Sequence, residues 1–81
     1  MEVDIRNRIE SDFKDKSLKA IALLDNFEKN SELSPRISRC IIFLSEGSIE
    51  KLKTNIQIAE VDWRDIIDMA EESGFKSNKL L

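Results

Sequence analysis

The sequence has 81 residues, 41% of them apolar and 36% charged, with a net charge of −3. A chain of this length makes one domain, near the smallest size at which a single core holds itself together, which excludes a two-domain enzyme; its apolar content excludes a disordered chain. With no His, no Tyr and a single Cys, the sequence lacks the commonest general base and metal ligand, any Cys/His zinc cluster and an internal disulfide.

In the first third, Ile5, Ile9, Phe13, Ala20, Leu23, Leu24 and Phe27 fall on one face if residues 3 to 29 wind as a single helix. Such a helix would be about 40 Å long. It would also place Lys16 and Ser17 on the apolar face, so a break at residues 15 to 17 is the alternative, with Asp15 or Ser17 capping a second helix. Residues 30 to 33, Asn-Ser-Glu-Leu, are a polar connection.

Ser34-Pro35 opens the next helix, because Ser can accept from free amides while Pro at the first helical position loses nothing by lacking an N–H. This helix runs from 35 to about 45. Ile37, Cys40, Ile41 and Leu44 cover one face, while Ile42 and Phe43 point elsewhere beside Arg36 and Arg39. It is apolar on more than one side, so either it is central or its second face meets another chain. Cys40 reads as a small buried hydrophobe.

Gly47 ends that helix and Ser48 opens another, in which Ile49, Leu52, Ile56 and Ala59 share a face. Asp62 caps a last helix whose buried face is Trp63, Ile66, Ile67 and Ala70, with Trp63 as a core anchor, and Gly74 stops it. The tail, residues 76 to 81, is expected to fray unless Phe75 or the final leucines dock. The fold class is therefore all-α, a small bundle of four to five helices in a single domain covering 1–81. If the first helix is continuous, the short helices leave Ile5, Ile9 and Phe13 uncovered, and a second copy of the chain is the simplest cover. These three residues are the candidate dimer contacts.

Charge is unevenly distributed. Residues 1 to 45 carry eight acids and eight bases, whereas residues 46 to 81 carry eight acids and five bases. Most of the excess is Glu60, Asp62, Asp65, Asp68, Glu71 and Glu72 against Arg64. An acidic surface repels phosphate backbones and attracts basic partners. Asp65, Asp68 and Glu72 share a helical face, but Asp-Trp-Arg-Asp-Ile-Ile-Asp matches no calcium loop, so no metal and no cofactor is expected. Arg36, Arg39 and Phe43 form a stripe at i, i+3 and i+7; the arginines either lock onto Asp62, Asp65 or Asp68 or form an exposed hot spot with Phe43.

Residues 35 to 59 have the outline of a helix-turn-helix, yet bulky Phe43 sits where that motif packs tightly, and only Lys51 and Lys53 face a duplex alongside Glu50 and Glu60. The expected function is thus a non-catalytic protein–protein interaction module, with Arg36, Arg39, Phe43, Asp65, Asp68 and Glu72 as candidate contacts. A weak nucleic-acid binder is the alternative and a carboxylate-dependent enzyme the second alternative.

The stretch Ser34 to Glu71, SPRISRCIIFLSEG followed by an amphipathic helix and DWRDIIDMAE, about half the chain, resembles short bacterial proteins of unassigned function. The resemblance implies a small, cytoplasmic, all-helical bacterial protein and carries over no activity or site residue. The start, MEVDIRNRIESDF, has no apolar core of a signal peptide, and the longest unbroken apolar run is five residues, far short of a membrane span.

Overall fold

A computed structural model describes residues 1–75. The expected fraying of residues 76 to 81 lies outside the described residues. Five α-helices follow one another: α1 (Val3–Phe13), α2 (Ser17–Lys29), α3 (Pro35–Ser45), α4 (Ile49–Val61) and α5 (Trp63–Glu72), with a 3-10 turn at Lys14–Lys16 between α1 and α2. There is no strand among the described residues. The expected all-α bundle is what forms.

The N-terminal helical stretch is broken, and the break falls where the sequence places a charge on the apolar face. A straight helix over residues 3 to 29 does not fit a molecule whose longest dimension is 29 Å. Lys14 takes a positive φ of 52°, and the Ser17 hydroxyl donates to the Lys14 carbonyl at 2.5 Å. Ser17 is therefore the first residue of α2 and closes the turn, instead of capping from outside. The break leaves Lys16 exposed while Ser17 turns inward, which a continuous helix could not arrange.

Because α1 folds back onto α2 and α3, Ile5, Ile9 and Phe13 are buried within one chain, at 2%, 0% and 3% exposure. This corrects the expectation that they wait for a second copy. The premise was a helix too long to be covered, and the turn at Lys14–Lys16 removes it. Each such side chain contributes about 1.5–3 kcal/mol through burial.

Helix α3 is central, packing on α1, α4 and α5, which is why Ile37, Cys40, Ile41 and Ile42 are all buried although they span more than one face. Of the two readings of its apolar second face, the internal one holds. Ser34 stands at the start of α3 with extended backbone and Pro35 inside it, but its side chain makes no capping bond. Fixed φ at Pro35 starts the helix without one. The starts of α4 and α5 are capped as expected: Ser48 Oγ accepts from the Lys51 amide at 3.2 Å, and Asp62 Oδ1 from the Arg64 amide at 3.1 Å.

Gly47 and Gly74 end their helices with positive φ of 76° and 99°. At Gly47 the α3–α4 turn is pressed against α1: a Cβ there would lie 2.4 Å from the Asp12 carbonyl oxygen. At Gly74 the Phe75 amide donates to the Ala70 carbonyl at 2.9 Å and the Gly74 amide to the Glu71 carbonyl at 3.0 Å. This Schellman closure turns Phe75 back onto α3, where its ring stacks on Phe43 with centroids 4.7 Å apart.

A polar pair joins α3 to α4 within the core. Asn55 of α4 is buried and donates from Nδ2 to Ser45 Oγ at 3.1 Å, and the Ser45 hydroxyl donates to the Ile41 carbonyl at 2.6 Å. The inward face of α4 is thus Leu52, Asn55 and Ala59, with Ile49 and Ile56 half-buried at its edges.

Candidate interaction surface

The Arg/Phe stripe of α3 is taken up inside the chain. Arg39 donates from Nε and Nη2 to the two carboxylate oxygens of Asp4 on α1, at 2.8 and 3.0 Å. Its hydrogen bond holds the Asp4 carboxyl below the usual carboxylate range, and Asp4 raises Arg39 in return. Arg36 lies 3.6 Å from Glu71 of α5. Phe43 is covered by Phe75. The expected partners Asp62, Asp65 and Asp68 are not the ones used: Arg39 reaches the first helix, and Arg36 reaches one turn further along α5 than the sequence reading placed it.

The acidic residues of α5 divide into two groups. Asp62 is occupied by its own helix start, and the Arg64 amide, followed by the Arg64 side chain at 3.2 Å, keeps its carboxyl below the ordinary range. Glu71 faces Arg36. Asp65, Asp68 and Glu72 are exposed, on the side of α5 opposite buried Ile66, Ile67 and Ala70, and no cation among the described residues pairs with them. The structure therefore brings these three candidates together on one outward face and separates them from Arg36, Arg39 and Phe43.

Trp63 departs from the core role expected of it. It is 41% exposed, and Val61 just before it is 88% exposed. The cause is the abruptness of the α4–α5 junction: Asp62 alone, with an extended φ of −154°, separates the two helices, so the first residue of α5 overhangs the end of the core. Its ring borders two clefts, one shared with Phe27 and Leu33 and one with Ile37 and Ile67. Helical spacing alone put Trp63 on the buried face; its position at the first residue of a capped helix was the signal that it would project past the packing.

Cys40 is fully buried. On α4, Lys51 pairs with Glu46 at 2.8 Å, which reduces the positive charge that face could offer a phosphate backbone. No group of three or more acidic or Cys side chains among the described residues is arranged to hold a metal ion. No helix among the described residues is long and apolar enough to cross a membrane.

Fold and surface together define a small all-α bundle whose charged pairs tie α3 to its neighbours and whose last helix presents an unmatched acidic face. No protein-family profile matches the sequence, and no curated protein and no solved structure is significantly similar to it.

Proposed function

We propose that this chain is a non-catalytic protein–protein interaction module that engages a basic surface on its partner through the acidic face of α5. The observation that carries the reading is the division of carboxylates on that helix. Asp62 and Glu71 are matched within the chain, while Asp65, Asp68 and Glu72 stand outward together without a cation among the described residues. Three like charges on one face repel one another at close range, and a basic partner relieves that repulsion as it accelerates encounter. Exposed Trp63 at the start of the same helix and exposed Val61 at the end of α4 supply the apolar contact area that charge alone does not.

Affinity capture from the native host tests the proposal, comparing the wild type with the combined variant Asp65→Asn, Asp68→Asn, Glu72→Gln. These exposed substitutions leave the core untouched, so both proteins should melt alike. The expected result is a basic protein retained by the wild type and lost by the variant. Equal recovery of the same protein by both would contradict the reading.

A further inference from the structure

Between the α2–α3 connection and the α4–α5 junction lies a cleft of about 380 Å³. Phe27, Leu33 and Trp63 give it apolar walls, Glu32 and Glu60 contribute carboxylates, and no lysine or arginine lines it. Both glutamates are exposed, and neither pairs with a cation among the described residues. Ser31, also on the lining, has a buried hydroxyl oxygen without a hydrogen-bond partner. The two cations adjacent in sequence to the lining are engaged elsewhere, Lys29 with Asp25 and Arg64 with Asp62.

We infer that this cleft receives an arginine side chain of the basic partner, an inference that rests on the interaction reading above and names what the partner inserts. An arginine joins an apolar stem to a planar cation. The stem matches Phe27 and Leu33, the guanidinium plane suits stacking on the indole, and its N–H donors match the two carboxylates. A neutral apolar residue would leave Glu32 and Glu60 unmatched and desolvated; an acidic one would be repelled. Exposed aromatic rings beside charge-complementary pockets are also where binding energy concentrates.

Trp63 is the only tryptophan, so its emission reads the cleft directly. The full-length protein is titrated with a short blocked arginine–alanine peptide, with citrulline–alanine and lysine–alanine peptides as comparisons. A saturable change in Trp63 emission is expected with arginine, at least about tenfold weaker binding with citrulline, which keeps the shape and loses the charge. Lysine, unable to stack, falls between them. Glu32→Gln and Glu60→Gln should each weaken the arginine peptide about two- to fivefold, while Glu10→Gln and Asp15→Asn, exposed carboxylates outside both the cleft and the acidic face of α5, should leave it nearly unchanged.

An emission that ignores the arginine peptide overturns the inference, as does an equal response to citrulline or lysine, or an equal loss from Glu10→Gln. Failure here is distinct from failure of the interaction reading. If the emission stays unchanged while capture of a basic protein still depends on Asp65, Asp68 and Glu72, the cleft assignment falls and the acidic face stands.

Discussion

Arg39 and Asp4, 35 residues apart, meet fork to fork and fasten the central helix α3 to the first turn of α1. Asp4 also sits in the first turn of α1, where the helix dipole favours a negative charge. Because the folded-state carboxyl is held below its ordinary range by Arg39, it contributes stability that is present above the unfolded carboxylate pKa and is lost as pH falls through the folded value. Asp4 is 60% exposed and Arg39 18%, so solvent screens the pair and its worth is about 0.5–1 kcal/mol at low salt. Asp4→Asn should lower the melting temperature at neutral pH by a few degrees, with the difference closing in strong acid and in high salt. A deficit that persists in acid would show that the charge is not what Asn removes.

The two glycines at positive φ should respond differently to alanine. Gly47→Ala forces a Cβ against the Asp12 carbonyl oxygen and adds backbone strain, a loss of about 2–3 kcal/mol. Gly74→Ala has open space around it and should cost only the strain, about 1 kcal/mol. Chemical denaturation of the two variants side by side checks the ranking; equal losses would mean that the contact of the α3–α4 turn with α1 is not tight.

Ser45 and Asn55 form a buried polar pair whose halves depend on each other. Ser45→Ala removes the acceptor for Asn55 Nδ2 and should cost about 1–3 kcal/mol. Ser45→Ala with Asn55→Leu removes both ends and should recover part of that loss. Denaturant midpoints for the two single variants and the double variant give the coupling, and strict additivity would deny it.

Ile9→Ala tests the internal cover of α1. Ile9 is fully buried within one chain, so the substitution should destabilise the protein by about 2–5 kcal/mol. The melting temperatures of wild type and variant should both be independent of protein concentration. A midpoint rising with concentration would return Ile9 to an interface between copies.

Much of the fold is written locally. Gly47, Ser48, Asp62 and Gly74 mark helix ends through backbone freedom and side-chain caps, which depend only on neighbours a few positions away, and the structure uses each of them. Lys16 on an apolar stripe signalled the break between α1 and α2 for the same reason. What was not legible depends on distance along the chain. Arg39 had eight carboxylates to choose from in the first 45 residues alone, and nothing in periodicity selects Asp4. The cover over Ile5, Ile9 and Phe13 depended on the direction α2 takes after one turn. Asn55 finds its buried partner in Ser45, ten residues earlier on the facing helix. Among the surface candidates, Asp65, Asp68 and Glu72 were readable because one helix fixes their common face. Trp63 was misplaced because helical spacing does not say where the core stops along the axis.

The account turns on the unmatched acidic face of α5, and the most direct measurement is the affinity for the captured partner as a function of salt, for the wild type and for the combined variant Asp65→Asn, Asp68→Asn, Glu72→Gln. The account predicts wild-type affinity that falls steeply with ionic strength and a variant that binds weakly at every salt concentration with a much shallower dependence. Two parallel lines, with the variant losing affinity to salt as steeply as the wild type, would contradict it.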